Sequence, residues 1–274
     1  MPLVNATVRH WLVEHPLISS FEWIPGRTFG ASPEFLAAVV LSYLSLTLIL
    51  RRLLPASSLV SPFLFRSVSA LHNLILLLLS AVMAAGCSLS ASAVLPTLRH
   101  LFCLPNPTPS TGPLFFWAYV FYLSKLLEFV DTLLILVNPS GKRRLTFLHV
   151  YHHASVVVMC YLWLAAAQSL FPVALVTNAS VHTVMYGYYF LCSVGRPPRW
   201  KRVVTDVQIV QFVFSFAVSI MLLWYEFADR EGGGCSGIKA WLFNAGFNGS
   251  LLALFVNFHL KSYGSSKKER EKAT

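Results

Sequence analysis

The chain has 274 residues, 56% of them hydrophobic and 12% charged, with a mean hydropathy of +0.63. Such a composition excludes an ordinary soluble globular domain and makes lipid the main solvent. The formal charge of +10 does not by itself imply a nucleic-acid partner, because a basic protein is read by where its charges lie.

The first 30 residues lack the basic start, short apolar run and small-residue cleavage site of a signal peptide, so the first span is expected to stay in the mature protein, with residues 1–33 as a lumenal N-terminal segment. Within them Asn5-Ala6-Thr7 is a glycosylation acceptor. Seven apolar stretches follow, near 34–53, 67–90, 114–137, 145–167, 171–194, 203–227 and 238–260. Each is long enough to cross about 30 Å of hydrocarbon. A backbone in lipid must satisfy its own hydrogen bonds, which predicts helices. The expected fold is therefore an all-α membrane protein, seven transmembrane helices over 34–260 enclosing a substrate cavity, followed by a basic tail over 261–274.

Every second connection is basic: Arg51, Arg52 and Arg66, then Lys142, Arg143 and Arg144, then Arg196, Arg199, Lys201 and Arg202, then the tail. The connection after the sixth stretch carries Glu226, Asp229 and Glu231 instead. The positive-inside rule then predicts a lumenal N-terminus and a cytosolic C-terminus. Of the five cysteines, Cys87, Cys160 and Cys192 lie in or at the ends of spans. Cys103, beside the Pro-rich run 104–113, and Cys235 both fall on the lumenal side, where an oxidising compartment predicts a disulfide between them.

Ionisable residues deep in a bilayer cost several kcal/mol and usually face an interior cavity. In the third stretch Lys125, Glu128 and Thr132 share one helical face, with Asp131 beside them placed to orient a histidine. A structural Lys–Glu ion pair and a catalytic role explain this pair equally well. In the fourth, His149, His152 and His153 converge at spacings of three and four. In the fifth, Asn178, His182, Met185, Tyr186 and Tyr189 form a stripe at helical spacing. For Tyr188 and Tyr189 a core or interface role is the simpler reading. The sixth adds Asp206, Gln208 and Gln211.

These residues form four ordered motifs: Lys125-x-x-Glu128-x-x-Asp131-Thr132, His149-x-x-His152-His153, His182-x-x-Met185-Tyr186-x-Tyr188-Tyr189 and Thr205-x-x-Gln208-x-x-Gln211. With them the chain resembles the very-long-chain fatty acid elongases, the ELO family of condensing enzymes, and most of all its plant members. Leu145, where elongases of polyunsaturated chains tend to carry Gln, favours saturated or monounsaturated substrates. The resemblance implies condensation of an acyl-CoA with malonyl-CoA to a 3-oxoacyl-CoA two carbons longer, in the endoplasmic reticulum, with no bound cofactor or metal.

No cysteine stands among the motif residues, so His152 is assigned as nucleophile or base, His182 as its partner, and His149, His153, Lys125, Glu128 and Asp131 as supporting groups. Asn178, Met185, Tyr186, Tyr189, Gln208 and Gln211 are expected to contact substrate, and Lys142, Arg143, Arg144, Arg199, Lys201 and Arg202 the CoA phosphates. Expected partners are membrane lipid, acyl-CoA, malonyl-CoA and the other enzymes of the elongation cycle, with a homodimer left open. Two rival readings are a di-iron desaturase, which would lack ligands because His10, His15, His72, His100 and His259 are scattered, and a seven-span receptor or transporter.

Overall fold

The computed structural model describes residues 2–54, 60–138, 145–228 and 233–271, and the side chains of 6–54, 60–138, 145–228 and 233–262. The Asn5 side chain, Lys142, Arg143, Arg144, Asp229 and Glu231 lie outside the described set. The helices are α1 (Pro2–Arg9), α2 (Pro16–Ser19), α3 (Pro33–Leu53), α4 (Pro62–Val94), α5 (Leu98–Phe102), α6 (Pro113–Leu127), α7 (Phe129–Val137), α8 (Phe147–Ala165), α9 (Phe171–Ser193), α10 (Lys201–Phe227) and α11 (Ile238–Glu271). A π-helical turn, His10–Glu14, precedes α2. Among the described residues there is no strand, only two isolated bridges.

Local chemistry marks the ends. Ser32 and Ser61 accept from the backbone N–H groups of Phe35 and Leu64, and each is followed by a proline at the first helical position. Thr146 caps α8 by accepting from the His149 N–H at 3.2 Å. Arg51 and Arg52 occupy the last turn of α3, where cations offset the helix dipole.

Among the described residues, four helices are long and apolar enough to cross a membrane: Pro33–Leu53, Pro62–Val94, Phe147–Ala165 and Lys201–Phe227. Helices also occupy the other three stretches expected from sequence, for identifiable reasons with a different character. The 114–137 stretch is divided at Glu128 into α6 and α7. Helix α9 is diluted by Thr177, Asn178, His182, Thr183 and several tyrosines. Helix α11 begins at Ile238 as expected but runs on to Glu271.

The packing order closes a ring. Helix α4 lies along α9 and against α6, α6 packs on α8, α8 on α11, α11 on α10, and α10 returns to α9. Helix α3 stands outside, against α7 and α8. The buried core runs between α6, α8 and α9, where the Phe121 and Trp163 rings stack at 5.5 Å. Against α4 the approach is close at Gly86: a Cβ there would meet the Trp117 ring at 2.1 Å.

One end of the ring is closed by connections. Cys103 and Cys235 form a disulfide with Cα atoms 4.9 Å apart, across 132 residues of chain. Beside it Ser169 Oγ accepts from the Leu104 N–H at 3.0 Å and donates to Ser236 O at 2.9 Å. The N-terminal segment packs onto this same end, where Trp117 Nε1 donates to Leu12 O at 2.9 Å and the Trp23 N–H to Ser110 O at 3.0 Å. The opposite end carries the basic connection leading into α10.

Candidate active site

The division between α6 and α7 builds the first half of the site. The Glu128 N–H still reaches Ser124 O at 2.9 Å, but the Asp131 N–H turns to Glu128 O at 3.0 Å, an i to i+3 bond. Such a tightened turn brings side chains three apart into line. In the preceding turn, at ordinary helical i, i+3 spacing, Lys125 Nζ donates to Glu128 Oε1 at 2.6 Å, with the two residues 1% and 2% exposed. The ammonium also lies 4.2 Å from the centre of the Phe121 ring.

His182, on α9, completes this group. Its Nδ1 is 3.3 Å from Glu128 Oε1 and 3.4 Å from Lys125 Nζ. One nitrogen cannot serve both: it accepts from Lys125 as a bare nitrogen or donates to Glu128 as N–H. The second tautomer leaves Nε2 with a free lone pair. Glu128 Oε2 is buried with no hydrogen-bond partner among the described residues.

Helix α8 supplies the rest. His149 Nε2 is 2.8 Å from Thr132 Oγ1, which is 3.0 Å from the Tyr43 hydroxyl. The His149 and His153 ring centres are 4.3 Å apart, and those of His152 and His153 5.5 Å. His152 lies at the wall of a cavity between α8, α9, α10 and α11. The Nδ1 atoms of His152 and His153 are buried and unpartnered among the described residues. No cysteine lines this cavity, and no three His, Cys, Asp or Glu side chains among the described residues are grouped as metal ligands would be.

The remaining sequence candidates divide by position. Asn178 Nδ2 donates to Gln211 Oε1 at 3.4 Å, and both line the cavity. Gln208 Nε2 donates to Met185 Sδ at 3.4 Å, joining α10 to α9. Tyr186 is 1% exposed and directs its hydroxyl to Asp131 Oδ2 at 2.8 Å. Tyr189, one turn further, is 42% exposed. Arg199, Lys201 and Arg202 are exposed where the last connection enters α10, with Arg202 Nε 3.5 Å from Asp206 Oδ2.

Asp131 does hold a histidine, but one that sequence reasoning passed over as scattered. His72 Nε2, on α4, is 2.8 Å from Asp131 Oδ1, and His72 is 7% exposed. The other overlooked member is His259, whose Nε2 is 2.9 Å from Asp206 Oδ1. Both histidines sit inside expected spans, so the test applied to the other spans, which singles out ionisable residues at bilayer depth, would have found them.

Residues 28–272 match the model of the GNS1/SUR4 (ELO) family. The chain is 30% identical to "Fatty acid elongase 3-like" of Arabidopsis thaliana, across 98% of this chain and 96% of that protein. It is 35% identical to "Fatty acid elongase A" of Dictyostelium discoideum over 73% of each chain. It is 33% identical to "Very long chain fatty acid elongase 5" of Homo sapiens, over 77% of this chain and 69% of the relative.

Proposed function

The chain belongs to the ELO (GNS1/SUR4) family of fatty acid elongases, and from that membership we propose that it joins a long-chain acyl-CoA to malonyl-CoA, giving a 3-oxoacyl-CoA two carbons longer, CO2 and CoA. The observation that carries this reading is His152 at the wall of a cavity, in a fold that also holds a buried group in which Lys125, Glu128 and His182 meet within 3.4 Å. His152 attacks the thioester carbonyl, the carbon–sulfur bond breaks, and the departing thiolate takes a proton to leave as CoA. Malonyl-CoA then loses CO2, and the enolate carbon bonds to the acyl carbon while the imidazole leaves. His182, held by Glu128, holds or delivers a proton, and Lys125 pairs with Glu128 beside it in a dry site. Water exclusion protects the enolate from protonation before it attacks.

The proposed setting is the endoplasmic reticulum membrane, with seven spans and the basic end in the cytosol. CoA phosphates then meet Arg199, Lys201 and Arg202, and by their charge in the sequence also Lys142, Arg143 and Arg144, which lie outside the described residues. Reversal of Lys201 and Arg202 to Glu raises the KM for malonyl-CoA in correctly inserted protein; an unchanged KM removes the phosphate role. The central test is His152→Ala. Malonyl-CoA-dependent extension by the purified variant falls below about a tenth of wild type, the loss expected for removal of a reacting group, while gel filtration in detergent stays unchanged. Retained extension above that level removes His152 from the chemistry.

A further inference from the structure

A methylene chain offers no hydrogen-bond donor or acceptor, so a cavity built for it alone is expected to be apolar on all sides. This one is not. The α8 wall beyond His152 is Val156, Met159 and Trp163. The facing walls carry Thr177 and Asn178 from α9, Ser215 and Ser219 from α10, and Asn244 and Asn248 from α11. Ser215 and Ser219 lie one and two turns past Gln211, about 6 and 12 Å further along α10. Leu170 and Val218 line the cavity beside the cluster that surrounds the disulfide.

Part of this polarity is explained by helix association. Asn248 Nδ2 donates to Ser215 Oγ at 3.1 Å and Trp241 Nε1 to Ser219 Oγ at 3.1 Å, bonds that join α10 and α11 inside the membrane, while Asn248 Nδ2 also reaches Asn244 Oδ1 of its own helix at 3.5 Å. Association alone does not require these groups to face a cavity, nor does it account for Asn178 Oδ1, which is buried and without a partner among the described residues. Serine hydroxyls and asparagine amides can each both donate and accept, which is what a hydroxyl group in an otherwise apolar ligand needs.

We propose that the cavity takes an acyl chain bearing a mid-chain hydroxyl, recognised by Ser215, Asn244 and Asn248. This rests on the elongation reading and names its substrate class. The purified protein is given malonyl-CoA with acyl-CoAs of equal length, one unsubstituted and a set carrying a single hydroxyl at successive carbons, and kcat/KM is measured for each. A hydroxyl that meets the Ser215–Asn248 level raises kcat/KM about threefold to tenfold over the plain chain, the range of one net hydrogen bond, whereas a hydroxyl near the thioester or the chain end does not. Asn248→Leu, with both substrates measured on the same variant, brings the ratio to one or below. A wild-type ratio at or below one for every hydroxyl position overturns the assignment, whatever the variant does. Extension of plain chains in that result leaves the elongation reading standing, while failure to extend any chain removes that reading and this assignment with it.

Discussion

Lys125 and Glu128 are each almost wholly buried, and their 2.6 Å contact lets two full charges stay out of water. Loss of one partner would strand the other, an effect of about 3–5 kcal/mol; that is why the pair reads from spacing alone as an intramembrane unit. Sequence spacing could not say whether the unit was only structural, because the choice depends on a third residue, His182, 54 or more positions away and brought in by α9. Asp131 shows the same limit more sharply. Its carboxylate can only accept, so His72 Nε2 carries the hydrogen it shares with Oδ1, while the Tyr186 hydroxyl donates to Oδ2. Tyr186 in turn lies edge-on to His182, with ring centres 5.6 Å apart. In the proposed mechanism this chain makes His72 a positioning residue for the His182 side of the site, acting through Asp131 and Tyr186. His72→Ala removes a hydrogen bond to a charged group, worth about 1.5–3 kcal/mol, and lowers kcat roughly tenfold to a hundredfold with little change in KM. His72→Gln, which keeps an N–H donor, recovers most of the rate. If both variants lose thermal stability equally and keep wild-type kcat, His72 serves the fold alone.

At the scale of elements, long apolar runs made most of the helices legible, and polar side chains made some of them unlike simple spans. Ser32-Pro33, Ser61-Pro62 and Thr146 mark three helix starts that any reading of capping chemistry can find. The interruption at Glu128 is invisible to hydropathy, since Leu126, Leu127, Phe129 and Val130 continue the apolar run on either side. What holds it is tertiary: the Glu128 side chain is committed to Lys125 and His182 together. Helix pairing was equally hidden, because it depends on shape rather than on composition. Helix α4 approaches α6 where Gly86 leaves room for the Trp117 indole, whose nitrogen is already fixed by the Leu12 carbonyl. A methyl group at position 86 overlaps that ring, and neither helix can yield without losing the rest of the seam. Gly86→Ala is therefore expected to destabilise by about 1–3 kcal/mol, the usual cost of overpacking a dense core, despite the better helix propensity of alanine. Thermal unfolding followed in detergent reads this directly, and a midpoint equal to or above that of wild type contradicts the close approach.

Across the whole molecule, the ring of α4, α6, α8, α11, α10 and α9 encloses the buried Lys125 and Glu128 and places its connections at the ends. Neighbouring helices in lipid gain little from hydrophobic association, because the surrounding chains are as apolar as leucine. Closure of such a ring then depends on packing, on interhelical polar bonds such as Tyr151 to Ser250 at 2.7 Å, and on ties at its ends. The strongest end tie is the bond between Cys103, after α5, and Cys235, before α11. It is surrounded by Leu170, which precedes α9, and Leu222 of α10, so three walls of the cavity meet at one covalent point. Cys235 is further held by its own N–H, which donates to Glu226 Oε2 at 2.6 Å. A crosslink spanning 132 residues removes up to about 5 kcal/mol of loop entropy from the unfolded chain in the chain-entropy model, with measured gains often smaller. The Cys103→Ser, Cys235→Ser double variant is accordingly expected to unfold several degrees below wild type, and reductant is expected to lower the wild-type midpoint to the same value without affecting the variant. The histidines lie nearer the other end of the ring, so chain extension measured well below either midpoint changes less than twofold. Non-reducing peptide mapping supplies the independent check: recovery of both cysteines alkylated, without prior reduction, from protein isolated under thiol-blocking conditions removes the tie and the stability difference expected from it.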